Sequence, residues 1–540
     1  MQSPAPDAAA FRPVPWLAAL TLATAALIVL PLVLNPFLPF EDLPNHIARR
    51  HLAAGTDGAL ADYFILRDGL LDGPATNAAV DLAWRLRMLV APVSAADAVA
   101  FSHWAMGFAM VGFMGAVMVL HRVLHGRWSA WPLLAGLLVH NANILWGFEN
   151  YAVTLPFGIL GLALWIATRG AAPALRLALT LAVVALLYLG HVLVLLAYAA
   201  LVIGYEAGRA WRPGLRPDLR AVDWPGLVAI CTICLAHVLI GVTAPAPGYG
   251  SATQFGPLSE RLQLLLSPFG STPGGGALLH PLAGQAVLFL AALPLLWALA
   301  RRNGLSIRLA AGMRLPLLLL GLVTLLMPVQ LSGVHFTHLR YPVLLLGLLI
   351  AATDLRPIPG ARPPSNRLAG GLMLALLAVI ALRAHVLDRA ARAYSAEIAS
   401  IAAVAANLPA GARVLPVIAS RAPLTTRHFH SAAYLVPLAG AFVPTLFVGG
   451  SHRLALAPEW QALSAAQPVA VPLHLLDLPP DRFSAPMREI WAFVPGWQDH
   501  FTHVLLIGGT APDRPGLDPL ASAAGTTLLA LRPVPGDPAP

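Results

Sequence analysis

The chain has 540 residues, 58% of them hydrophobic and only 11% charged, with a mean hydropathy of +0.72. Soluble domains carry about 25% charged residues, and a solvated disordered chain is far less apolar. Both classes are excluded, and a polytopic membrane protein remains. The net charge is +9, and all 34 basic residues are arginine. They fall in short loops between apolar runs, and no basic face interleaved with aromatics occurs, so the charge reports topology and not nucleic-acid binding.

In chain order, the apolar runs predict an α-helical protein of about eleven spans, at 16–34, 98–120, 131–146, 151–168, 174–190, 191–207, 225–243, 281–300, 315–332, 341–353 and 368–387. The first run has no small-residue cleavage site and reads as a span, not a removed signal. The stretch 174–207 is too long for one span and should break at Gly190-His191. Cys231 and Cys234, inside an apolar run, read as small packed side chains. With the N-terminus in the cytoplasm, alternate loops hold Arg122 and Arg127, Arg169 and Arg176, the group Arg209 to Arg220, the group Arg301 to Arg314, and Arg356 to Arg367. The opposite short loops hold little beyond Arg261 and Arg340. This is the positive-inside bias, and it places the C-terminal region in the periplasm of a Gram-negative cell, with the spans in the inner membrane.

Two units follow: a helical module over 1–387, whose outer loop 35–97 should lie as short helices on the membrane, and a periplasmic tail over 388–540. The tail has ten arginines and ten acidic residues. Strand-like runs at Arg413–Ile418, His503–Ile507 and Thr526–Leu531, after a helical stretch at 388–406, predict a small α/β domain. The end, Pro533–Pro540, reads as frayed.

The chemistry-bearing residues cluster at span ends on the outer side. Just past the first span comes Phe40-Glu41-Asp42-Leu43-Pro44-Asn45-His46, followed by Arg49, Arg50 and His51. Pro44 suits a helix start and Asp42 is placed to cap it. His46 and Arg49 or Arg50 lie on the following turns. One reading is a cap and an amphipathic surface helix; the other is a carboxylate for acid/base or metal chemistry beside cations suited to phosphate. Glu149-Asn150-Tyr151, His191, and the run His335, His338, Arg340 and Tyr341 lie on the same side. An interfacial His or Tyr is commonly an anchor, but convergence of ionisable groups near membrane depth marks a substrate path. Pro257–Phe269 suits an interfacial amphipathic helix with Glu260 and Arg261 on its wet side. Gly274-Gly275-Gly276 lacks the setting of a nucleotide loop. The tail histidines, His428, His430, His452, His474, His500 and His503, show no metal-ligand spacing.

With these residues assembled, the chain resembles the GT-C superfamily of integral-membrane glycosyltransferases, which use lipid-phosphate-linked sugars. The likeness is architectural over most of the chain and motif-like in the first outer loop. There Glu41-Asp42 matches the superfamily's acidic pair, in Glu-Asp rather than the commoner Asp-Glu order. The resemblance implies Asp42 as catalytic carboxylate, with Glu41 second, and a polyprenyl-phosphate sugar donor held in membrane lipid. It implies a glycan, lipid or protein acceptor, attacked with inversion. Arg340, with Arg49 or His338, would neutralise the departing lipid phosphate, while Glu149 and His191 would orient the acceptor or a divalent metal, Mg or Mn. His46 and Asn150 complete the expected substrate-binding set. A transporter or lipid flippase is the rival reading, because broken spans such as 174–207 suit half-helix binding sites. An assembly protein with the tail as binding module is the third.

Overall fold

The computed structural model describes residues 15–55, 58–67, 76–211, 218–243, 253–257, 264–270, 297–331, 334–360, 366–419, 430–449, 452–463, 469–484, 490–509 and 516–532, with a few single residues between them. The expected helix 257–269, the Gly274–Gly276 run, most of the span 281–300, His428 and the end 533–540 fall wholly or partly outside the described residues.

Helix α1 (Pro15–Leu34) starts on a proline, whose missing N–H costs nothing in the first turn. It ends at Asn35, whose amide donates to Pro31 O at 2.7 Å and to Asp388 Oδ1 at 2.9 Å. Helix α2 (Leu43–Ala53) follows at once. Helix α3 (Ala79–Val90) precedes α4 (Ala95–His125). The latter is opened by a reciprocal Ser94/Asp97 capping box and closed by Gly126 at φ +73°, the left-handed stop that glycine adopts without strain. The next apolar run departs from a regular span: residues Trp131–Leu138 form a 3₁₀ turn and only α5 (Ala142–Leu145) is α-helical. Pro132 and the close fit of Gly136, where a Cβ would come 3.1 Å from Ile380 and 3.2 Å from Thr24, explain the irregular path.

Helix α6 (Glu149–Ala167) packs along α4. Helices α7 (Pro173–Gly190) and α8 (Val192–Ala210) are separated by His191, which is extended (φ −163°, ψ 120°) and whose Nδ1 accepts from Leu193 N at 3.2 Å. The break is thus a cap built from the histidine's own ring. Then come α9 (Trp224–Thr243), α10 (Arg314–Leu326), α11 (Tyr341–Ala352) and α12 (Asn366–Ala405).

Among the described residues, six helices are long and apolar enough to cross a bilayer: α1, α4, α6, α7, α8 and α12. Leu22, Val33, Leu181, Leu186, Val228, Leu235, Leu318 and Leu374 lie exposed on the outside of this bundle. An apolar surface of that extent belongs against lipid, not water. The protein is a mostly helical, polytopic membrane protein with a small sheet region.

Helix α12 does not stop at residue 387. It runs on through 405 because Ala390, Ala391, Tyr394, Ile398, Ile401 and Val404 give it a second buried face, spaced for a helix. That face meets a five-stranded sheet, ordered Leu517–Ala523 (β10), Thr526–Leu531 (β11), His503–Ile507 (β9), Val414–Ile418 (β6) and Val471–Pro472 (β8). Here β6 (Val414–Ile418) pairs in parallel with β8 (Val471–Pro472) and β9 (His503–Ile507). Strands β10 (Leu517–Ala523) and β11 (Thr526–Leu531) add on antiparallel. Smaller ribbons join β1 (Phe64–Leu66) to β7 (Leu454–Leu456), β2 (Leu305–Leu309) to β5 (Thr353–Pro357), and β3 (Gln330–Leu331) to β4 (Val334–His335). The β1–β7 pair fastens the first loop to the tail. Short helix α13 (Leu435–Ala439) and the turn Ser431–Tyr434 before it both pack on α2.

Candidate active site

The site is built around the backbone of Glu41 and Asp42. Glu41 N donates to Leu145 O at 3.1 Å and Asp42 N to Trp146 O at 3.0 Å. The chain can approach so closely because Gly147 stands opposite: a Cβ there would lie 2.9 Å from both Asp42 N and Leu43 N, and its φ is +71°. Only glycine combines that conformation with that clearance. Asp42 O in turn accepts from Asn45 N at 3.1 Å and His46 N at 3.3 Å, starting α2.

The Asp42 side chain was expected to cap α2, and it does not: the residue sits at φ −82°, ψ −10° with no side-chain cap hydrogen bond. Its backbone is committed to the Trp146-Gly147 turn, in a helical conformation from which the carboxylate does not reach the first-turn N–H groups. Asp42 Oδ1 lies instead 3.4 Å from His430 Nε2, and the carboxylate is 17% exposed. Glu41 is buried at 7%.

Glu149 is fully buried and paired with Arg50, whose other amino group reaches Ser102 Oγ. The guanidinium of Arg50 also lies 5.2 Å from the Phe101 ring centroid. Arg49 is held by Asp81 at 2.9 and 3.1 Å. These two arginines, with Asp81, Trp84, Arg85 and Arg453, line a narrow recess. Asn150 serves the frame: its Oδ1 accepts from Val80 N at 3.2 Å, supplying the first turn of α3 with the partner that Ala78 lacks.

His46 was expected in the substrate-binding set. Burial, with Arg49 and Arg50 nearby, pushes its imidazole well below the ordinary value, while a hydrogen bond to the Gly147 carbonyl opposes the shift. The ring is neutral at pH 7 and acts as a fixed donor, not as a charge. His191, besides capping α8, stands edge-on to Tyr151 at 5.2 Å. His338 is buried and stacked on Phe336 at 6.3 Å; Phe336 is stacked on Trp146 at 4.3 Å.

Arg340 is the hub that brings these groups together. Its guanidinium lies 3.8 Å from the Phe148 ring centroid and 5.2 Å from that of Tyr151, and its carbonyl accepts the Tyr151 hydroxyl. The Asp42 carboxylate and the His191 ring both lie within its electrostatic reach. It has no carboxylate partner among the described residues. An arginine held on aromatic faces keeps its charge and its planar fork for another anion.

Three tail side chains complete the surroundings, and local spacing gave no sign of them. His430 faces Asp42 and is edge-on to Phe447 at 5.1 Å. Phe447 N donates to Asn45 Oδ1 at 3.0 Å, and His452 stacks on Phe447 at 5.1 Å. Among the described residues, no three His, Cys, Asp or Glu side chains form a set that could hold a metal ion. Glu149, expected to orient the acceptor or a divalent metal, is engaged by Arg50.

No protein family and no curated protein matches the sequence. Among solved structures, the chain is similar to ArnT from Cupriavidus metallidurans in the apo state, at 14% identity and a TM-score of 0.49, over 95% of this chain and 97% of that one. It is also similar to the apo oligosaccharyltransferase of Archaeoglobus fulgidus, at 11% identity and a TM-score of 0.43, over 79% of this chain and 64% of that one. A third is the arabinofuranosyltransferase AftD from Mycobacteria, at 15% identity and a TM-score of 0.43. The match covers 95% of this chain but spans only 41% of AftD.

Proposed function

We propose that the protein is a membrane glycosyltransferase that moves a sugar from a polyprenyl-phosphate donor to an acceptor hydroxyl on a glycan, lipid or protein. In this reading about eleven spans sit in a bacterial inner membrane, with the N-terminus in the cytoplasm and residues 388–540 forming a periplasmic domain. The acceptor oxygen attacks the anomeric carbon from the face opposite the phosphate and forms the new glycosidic bond. The bond from that carbon to the phosphate oxygen breaks, inverting the centre, and the polyprenyl phosphate leaves with the electron pair. The acceptor's proton goes to the Asp42 carboxylate. Arg340 stabilises the charge that grows on the departing phosphate. No step is routed through a metal here; among the described residues, no three His, Cys, Asp or Glu side chains form a set that could hold one.

One observation carries the reading: Asp42 keeps its carboxylate out of the helix cap and partly open to solvent, within the field of an arginine that has no acidic partner among the described residues. Glu149 is the weaker candidate for the base, being fully buried and ion-paired. Glu41 is nearly as enclosed.

Proteoliposomes containing the purified protein, supplied with radiolabelled polyprenyl-phosphate hexoses or pentoses and a membrane extract as acceptor, test this. Wild type is expected to release polyprenyl phosphate and label the acceptor, and Asp42→Asn to do neither. Equal release by Asp42→Asn overturns the assignment of the base. Movement of labelled lipid across the bilayer with no covalent product favours a transporter instead.

A further inference from the structure

We propose that His430, carried by the C-terminal region, is a positioning residue for the Asp42 carboxylate, so that the site is complete only with the tail docked on α2. The inference rests on the reading of Asp42 as the base and extends it to a side chain that local spacing does not single out.

The geometry has three parts. His430 Nε2 is 3.4 Å from Asp42 Oδ1, with the histidine side chain 6% exposed and that of Asp42 17% exposed. The imidazole is held edge-on to Phe447, and Phe447 is itself anchored to α2 through Asn45. His430 also immediately precedes the turn Ser431–Tyr434, which with α13 packs on the helix that Asp42 begins. The two side chains therefore sit at the ends of elements in direct contact, not on a flexible approach.

A carboxylate acting as base needs one oxygen aimed at the acceptor and the other fixed. Its backbone cannot supply that fixation, since the helix N–H groups do not bind the side chain. An N–H directed at Oδ1 does, leaving the second oxygen to take the proton. The separation is long for a finished hydrogen bond, and contacts of this kind commonly tighten when substrate arrives. Glu41, His46 and Arg340 surround the pair but none of them stands in for the histidine: Glu41 is an acceptor when ionised, His46 is turned to the Gly147 carbonyl, and Arg340 lies over Phe148.

Four proteins in detergent, wild type and His430→Leu, His430→Gln and His430→Asn, test the proposal by two readouts. The first is transfer kinetics with the polyprenyl-phosphate donors. Leu is expected to lower kcat about tenfold with donor KM nearly unchanged, Gln to recover most of it because its amide reaches the Nε2 position, and Asn to stay low. The second needs no substrate: carbodiimide coupling of glycine methyl ester to Asp42, followed by peptide mass spectrometry. Coupling is expected to rise several-fold in the Leu and Asn variants and to stay near wild type in Gln. Equal coupling in all four proteins overturns the proposal whether or not any sugar is transferred. Full coupling differences with no transfer by wild type leave the His430–Asp42 contact standing and remove the glycosyltransferase reading instead. Should Leu fail to fold, the contrast between Gln and Asn decides, and identical behaviour of those two overturns it.

Discussion

Both ends of the helical bundle bury carboxylates against arginines, but they do so to different effect. At the end remote from Asp42, Asp354 is 1% exposed and surrounded by cations. Arg127 binds it through Nε at 3.2 Å and Nη2 at 2.8 Å, Arg356 at 2.7 Å, and His121 stands 3.5 Å away. Nearby, Glu206 takes Arg169 at 2.7 Å and the Trp165 indole at 2.8 Å, and Asp223 takes Arg176 at 2.8 Å. Each acid there is saturated. At the Asp42 end, Glu149 and Asp81 are tied to Arg50 and Arg49 in the same way, while Asp42 and Arg340 are left facing one another's field without pairing. Buried ion pairs that are complete hold a structure in register. A carboxylate and a guanidinium kept near each other but not paired with one another are what a reaction needs.

The comparison breaks most sharply at its two aspartates. Asp42→Asn is expected to lower sugar transfer at least about 100-fold with thermal unfolding in detergent unchanged. Asp354→Asn should do the reverse, removing about 1–3 kcal/mol of stability while turnover per folded molecule is preserved. If both variants lost stability alike, the distinction between the two ends would fail. Next in size, Gly147→Ala forces a Cβ against the Asp42 and Leu43 amides at a positive φ, and transfer should fall about tenfold or more as the carboxylate is displaced. The same alanine substitution at a glycine of ordinary φ with open space around it, Gly115→Ala, supplies the contrast. Arg340→Lys keeps the charge but loses the planar stack on Phe148. A severalfold rise in donor KM is expected, measured by titrating the lipid-linked sugar.

The smallest effect is on pH. Burial pushes His452 down to about 4, and His46 is likewise held well below its ordinary value. Both are neutral when folded and gain a proton on unfolding once the pH drops under about 6.5. The unfolded state then binds more protons, so stability rises with pH across the window from about 4 to 6.5 and is lost as the pH falls through it. Melting temperatures measured across that window should slope downward toward acid, and His452→Gln should flatten the slope. An unchanged slope would show that His452 takes up its proton without unfolding.

Much of the helical layout is legible from the chain, because apolar length is a direct consequence of bilayer thickness. The break at Gly190-His191 was readable as a run too long for one crossing. The acidic pair after α1 was readable because charge beside a span is costly to keep without purpose. Asp42 as a cap was the wrong local inference: tertiary docking of its backbone on the Trp146-Gly147 turn overrode the sequence preference. Residues 131–138 misled in the same way, since an apolar run containing Pro132 and Gly136 has the composition of a span but not its regularity. Partnerships were not legible at all. Nothing near Arg50 says that Glu149 will meet it, and nothing near His430 points back to Asp42, since those contacts depend on how remote elements pack.

The continuity of α12 has a mechanical consequence. Forty residues at 1.5 Å each make a rod of roughly 60 Å, anchored to α1 at one end and to the sheet at the other. Tilting such a rod by ten degrees, as a thinner or thicker bilayer can do, swings its far end by about 10 Å. A change in lipid thickness would therefore be passed along the rod to the sheet at its far end, and the surrounding membrane would bear on how the two ends of α12 are seated.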